Sequence, residues 1–154
     1  MTTKIRSLVL VTALLPCAAG AAPVGPLSTY LVEPCRFLDT REEVQSFDAG
    51  PFPLGQGRAY RMQESCDVPI GAAGVIINVT VTGATGAGHL SVWPGDYQVR
   101  PGTSGINFAA GSTLANGMTV RLAANAAPRY ADIWVTTRGA GEVHVIIDVV
   151  GYLR

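Results

Sequence analysis

The chain holds two histidines, His89 and His144, and three cysteines, Cys17, Cys35 and Cys66, so nucleophilic or metal chemistry would have to be assembled from few residues. No Gly-x-Ser-x-Gly elbow is present. His144 and Asp148 are four apart in an alternating segment, which puts their side chains on one strand face about 13 Å apart. That is too far for the hydrogen bond of a Ser/His/Asp set, and His144 reads instead as a strand-surface or subunit-contact residue. No His-Glu-x-x-His motif or Asp-rich calcium loop occurs, and Asp67 and Asp96 lie in turns, where aspartate caps its own backbone. No metal site and no cofactor are expected.

Paired carboxylates are the remaining route to catalysis. Glycoside hydrolysis needs two acids about 5–10 Å apart, one with a raised pKa. Glu42 and Glu43 are adjacent in a loop, and Asp39 and Asp148 could meet across a sheet. Arg36 and Arg41 flank Asp39, however, so a structural ion pair is its expected role. The run Gly83-Ala-Thr-Gly-Ala-Gly88 has the look of a phosphate loop, but a strand-like His89-Leu-Ser-Val-Trp93 follows it. A phosphate loop needs a helix N-terminus there, so a flexible hairpin connection is expected. No catalytic residue is assigned.

The elements that must carry these residues are strands. Val75, Ile77, Val79 and Val81 alternate with Asn78, Thr80 and Thr82, and Val143, Val145, Ile147 and Val149 alternate with His144, Ile146 and Asp148. Met118, Val120 and Leu122 repeat the pattern, as do Ile133 and Val135. A period of two with β-branched residues marks half-buried strands. Shorter candidates are 30–39, 58–62, 89–93 and 106–109, and 114–116 has the length of a single turn. Turn formers punctuate them at Gly50-Pro51-Phe52-Pro53, Pro94-Gly95-Asp96, Pro101-Gly102 and Arg138-Gly139-Ala140-Gly141. The expected fold class is all-β, an antiparallel sandwich or squat barrel of about eight strands.

The first residues point to export. Lys4 and Arg6 precede the apolar run Ser7–Leu15, and Pro16 and a small-residue stretch follow. This is the order of a signal peptide, too short to span a membrane, with cleavage expected after Ala21. Pro16 before Cys17 disfavours a lipidated cysteine. The domain plan is then 1–21 as signal peptide and 22–154 as one secreted β domain. Losing Lys4 and Arg6 leaves the mature chain slightly acidic, with no basic cluster for nucleic acid. Cys35 and Cys66 remain, and in an oxidising compartment they are expected to pair.

Six ordered motifs carry a resemblance. They are Pro34-Cys-Arg-Phe-Leu-Asp-Thr-Arg41, Asn78-Val-Thr-Val-Thr82, His89-Leu-Ser-Val-Trp-Pro94, the segment 101–111 ending Asn107-Phe-Ala-Ala-Gly111, Ala115-Asn116, and His144-Val-Ile-Ile-Asp-Val-Val-Gly-Tyr152. In these the chain resembles an uncharacterised family of exported bacterial β domains, over nearly the whole mature length. The resemblance implies an exported, disulfide-bearing β module and supplies no catalytic residue.

Binding is the function class left. Trp93 and Trp134 are out of phase with Leu90, Val92, Ile133 and Val135, and Tyr97 and Tyr130 lie in adjoining loops. Open aromatic rings would suit a glycan platform or a protein contact. The last strand also has an apolar second face, Ile146, Val150 and Tyr152 beside His144, which would suit a subunit contact. The expectation is a non-enzymatic, self-associating module, with a carbohydrate or cell-envelope binder as the alternative and a small secreted hydrolase as the weakest. Mass spectrometry of the exported protein is expected to give a chain starting near Ala22 without lipid; a lipid-bearing Cys17 would overturn that.

Overall fold

Alternation of β-branched and polar residues builds nearly all of the regular structure in the computed structural model, which describes residues 25–42, 49–97, 99–124 and 132–154. The strands are β1 (Thr29–Asp39), β2 (Phe52–Pro53), β3 (Gly57–Tyr60), β4 (Gly74–Thr82), β5 (Gly88–Pro94), β6 (Ile106–Phe108), β7 (Leu114–Arg121), β8 (Ile133–Gly139) and β9 (Glu142–Leu153). No helix occurs among the described residues. One antiparallel sheet has the order β1-β9-β4-β7, with β2 paired to the start of β9, and the second has the order β3-β8-β5-β6. The fold is an all-β sandwich, with nine strands among the described residues.

The inner faces meet in a single core. Val75, Ile77, Val79 and Val81 of β4 and Val143, Val145, Ile147 and Val149 of β9 are buried, facing Leu90, Ile106, Phe108, Ile133 and Val135 of the second sheet. Fully burying a Val, Leu or Ile side chain is worth roughly 1.5–3 kcal/mol, so these two central strands are the main source of stability.

Three local expectations differ from the structure. Phe52 and Pro53, whose neighbours predict a turn, pair instead with Val143 and Glu142, with Phe52 wholly buried. Residues 114–116 do not form a turn; Leu114, Ala115 and Asn116 pair with Val81, Thr80 and Val79, and the Asn116 amide donates to the Gly105 carbonyl. Cross-strand pairing and that side-chain bond outweigh weak local propensity. The 83–88 segment is not a hairpin, because β4 and β5 belong to different sheets. It crosses the sandwich and is fastened there: Thr85 N donates to Glu142 O, Glu142 N to Thr85 Oγ1, and Gly111 N to Ala84 O. Gly86 permits this approach, since a Cβ there would lie 1.9 Å from the Ala140 oxygen.

A β-bulge divides β9. Ile76 pairs with Gly151 and Ile77 with Val149, which leaves Val150 as the extra residue, and β1 skips at the same place between Leu31 and Cys35. One added residue reverses the side-chain phase. Before the bulge His144, Ile146 and Asp148 face outward; after it Gly151 and Leu153 do, and Tyr152 turns inward opposite Val75. Ile146 is itself buried, and Val150 and Tyr152 are half-buried. The apolar second face expected at Ile146, Val150 and Tyr152 is therefore not an open surface.

Both edges of the sandwich are tied. On one side the Cys35–Cys66 disulfide, with Cα atoms 5.5 Å apart, joins β1 to the turn that follows β3. That turn takes positive φ at Glu64, Cys66 and Asp67. Buried Asp132 holds its start by accepting from Met62 N (2.6 Å), Gln63 N (2.8 Å) and Gln63 Nε2 (2.9 Å), and Gln63 Oε1 accepts from Gly71 N. On the other side Asn116 links β7 to the residue before β6. Replacing both Cys35 and Cys66 by serine is expected to cost about 3–4 kcal/mol in urea denaturation, through a looser unfolded chain. An unchanged midpoint would show that the Asp132 network alone fixes the turn.

Candidate functional site

Polar side chains gather on the outer face of the β1-β9-β4-β7 sheet before the bulge. Register sets Arg36, Asp148, Asn78 and Gly117 in one row, and Asp39, Ile146, Thr80 and Ala115 in the next. Asp39 and Asp148 do come together, as the sequence suggested, but with arginine between them. Arg36 bridges the two, its Nη1 2.7 Å from Asp39 Oδ2 and its Nε bonded to Asp148 Oδ1. Arg41 adds Nε and Nη2 bonds to Asp39 at 2.8 and 2.6 Å and a backbone N–H at 3.1 Å. The Arg41 hydrogen bonds hold the Asp39 carboxyl down at about 2, despite the opposing cost of burial, and Arg36 assists. An acid held that low is a poor proton donor at neutral pH, so Asp39 does not suit the role of the raised-pKa acid in glycoside hydrolysis.

His144 does not meet Asp148. Its Nδ1 shares a 3.1 Å hydrogen bond with Thr40 Oγ1, which in turn accepts from Val145 N. His144 is half-buried and pins the end of β1 to β9. Among the described residues no group of three or more His, Cys, Asp and Glu side chains is arranged to hold a metal.

Of the four candidate aromatics, the structure brings Trp93 and Trp134 together. Trp93 and Trp134 are register partners on the outer face of the second sheet, stacked with centroids 6.0 Å apart. Their phase is as expected, but Trp93 is only 7% exposed and its Nε1 donates to Thr136 Oγ1. The β5–β6 connection folds back over this face: Ser91 Oγ bonds the Thr103 carbonyl, and Arg100 reaches the Thr137 carbonyl. Trp134 stays half-buried beside the covered Trp93. Tyr97 is open to solvent beneath the Arg121 guanidinium, 5.5 Å from its centroid, and Tyr130 lies outside the described residues.

The open apolar surface lies past the bulge, at the far end of the first sheet. Register sets Leu31, Gly151, Ile76 and Thr119 in one outward row and Thr29, Leu153, Gly74 and Arg121 in the next. Leu27, Ile70, Ala72, Ala73, Leu122 and Leu153 line a cleft of about 680 Å³ beside them. Ile70 on its rim is 65% exposed and Leu31 is 81% exposed. Gln63, Thr119 and Arg121 are the lining groups with polar side chains. The Arg121 charge is already met by Asp96 at 2.7 Å. Partial burial works against the Asp96 carboxylate, but bonds from Arg121 and Ala124 N outweigh it and lower its pKa. Asp96 thus fastens the end of β7 as well as its own turn.

Sequence reasoning missed this cleft. Leu27, Leu31, Ile70 and Leu153 look unremarkable singly, and only the phase reversal at Val150 brings Leu153 outward. The one available signal was Gly151 interrupting an apolar run, a common mark of a bulge or close approach. A Cβ at Gly151 would stand 2.6 Å from the Tyr30 carbonyl.

A scan against protein-family descriptions and searches of curated proteins and solved structures find no match to this chain.

Asp39 contributes stability that is complete above its unfolded pKa of 3.8 and lost as pH falls towards about 2. Asp39→Asn is expected to lower stability at pH 7 by on the order of 1–2 kcal/mol, the half-exposed arginines weakening the pairs. The gap from wild type should close near pH 2 in urea titrations. A gap that persists unchanged at pH 2 would show that charge is not what Asp39 provides.

Proposed function

We propose that the mature chain is a secreted, non-enzymatic β module that associates with a second copy of itself through the cleft end of the first sheet. The observation that carries this reading is the adjacency of knob and hole: Ile70, largely exposed, stands on the rim of the apolar cleft. A two-fold contact requires one self-complementary patch, in which each copy's projecting residue enters the other's recess. The Leu31–Ile76 strip continues the patch, and Arg121, the single charged lining residue, is already paired. Depletion of charge at the centre is the mark of interface cores. Export is supported by the leader-like 1–21 segment, the resemblance to exported β domains, and a disulfide that suits an oxidising compartment. No helix among the described residues is long and apolar enough to cross a membrane.

A second reading, binding of a surface polymer, is favoured by Trp134, whose ring is partly open and braced on the stacked Trp93.

Size-exclusion chromatography with light scattering on the mature protein is expected to give a dimer. Ile70→Asp should shift it to monomer without changing the thermal midpoint, since an exposed residue carries little of the fold. A monomer at millimolar concentration, or an Ile70→Asp dimer, would overturn the association reading.

A further inference from the structure

The outer face of the β3-β8-β5-β6 sheet draws three basic side chains together, with no ion pair to an acid among the described residues. His89 on β5 and Arg138 on β8 are register partners, so their side chains stand on the same outer face. Arg100, from the β5–β6 connection, lies across them: its Nη1 donates to the Thr137 carbonyl at 3.3 Å, and its Nη2 is 3.4 Å from His89 Nε2. The ion pairs among the described residues involve Arg36, Arg41, Arg61 and Arg121, and neither Arg100 nor Arg138. Arg100 is half-buried and Arg138 is exposed.

Such an arrangement is unfavourable by itself. A partly desolvated guanidinium ordinarily meets a carboxylate or a full set of acceptors, and Arg100 has one carbonyl and a ring nitrogen. Burial first, and then the nearby Arg138 charge, push the Arg100 pKa down. A negative group placed by the two guanidinium ions would offset both the burial of Arg100 and the repulsion from Arg138, and arginines offer the forked donors that a planar oxyanion accepts. A role for Arg100 confined to capping the Thr137 carbonyl leaves Arg138 beside it unaccounted for.

Trp134 supplies the second half of the argument. It lies on the same face of β8, four residues and about 13 Å from Arg138, a span that a short run of sugar residues bridges. We infer that Arg100, Arg138 and His89 form a site for the oxyanion of an acidic polysaccharide, with a sugar of the same chain resting on Trp134. This rests on the polymer-binding reading and is independent of the association face, which is built on the other sheet.

Affinity electrophoresis of the mature protein in gels containing polygalacturonate, dextran sulfate or neutral dextran tests it. Polygalacturonate is expected to retard the protein and neutral dextran is not, with retardation falling as salt is added. Dextran sulfate retarding as strongly would assign the site to oxyanions at large; polygalacturonate alone would assign it to carboxylates, and both outcomes support the site. Arg138→Gln, an exposed position, is expected to weaken binding about tenfold with an unchanged thermal midpoint, and Arg138→Lys should restore part of it. Trp134→Ala should also weaken it about tenfold. Neutral dextran bound through Trp134, with no effect of Arg138→Gln, overturns the anion site and leaves polymer binding standing. Retardation by no polymer overturns both, and retardation indifferent to Trp134→Ala overturns the polysaccharide assignment.

Discussion

β9 hydrogen-bonds to β1 on one side and to β4 on the other, so an irregularity in it is imposed on three strands at once. The extra residue at Val150 is such an irregularity. It lets Val143, Val145, Ile147 and Val149 fill the core while Tyr152, out of phase with them by count, also turns inward. The outer face is divided as a result. Polar residues clamped by arginine occupy one half, and an apolar strip running into a cleft occupies the other. Without the bulge Leu153 would point into the sandwich, and the cleft would lose one wall.

The strand content, the sandwich class and the disulfide were legible because each depends on local pattern or on a count. Sustained alternation identifies β4 and β9, and the two cysteines beyond an export-like leader leave one pairing. The ion-paired role of Asp39 was legible as well, since two arginines lie within three residues of it. What could not be read was anything that depends on which sheet a strand joins. The Gly83–Gly88 loop looks like a hairpin because two strands flank it; that β5 leaves β4 for β8 is decided by long-range pairing. The covering of Trp93 and the gathering of Arg100 with Arg138 depend on a loop folding back over a sheet, which has no periodic signature.

The two arginine clusters illustrate opposite uses of one side chain. Around Asp39 the guanidinium groups meet carboxylates at hydrogen-bond distance, and the result is a closed and satisfied network. Around Arg100 the neighbours are a histidine nitrogen and the like charge of Arg138. Exposure does not separate the clusters, since Arg36, Arg41 and Arg138 are all accessible. The difference lies in whether the countercharge comes from the chain.

The strand order also bears on how the chain acquires its shape. Among the described residues β1 pairs only with β9 and β3 only with β8, so these two early strands depend on the last quarter of the sequence. A chain emerging N-terminus first has the cysteines of its disulfide available long before the strands that hold them in place. Closing loops of this length before any pairing is gained makes for slow, late folding. β4 with β7 and β5 with β6 can pair before the chain is complete, whereas β1 and β3 gain their partners only when β9 and β8 are released, so the first strands made are the last to be fixed.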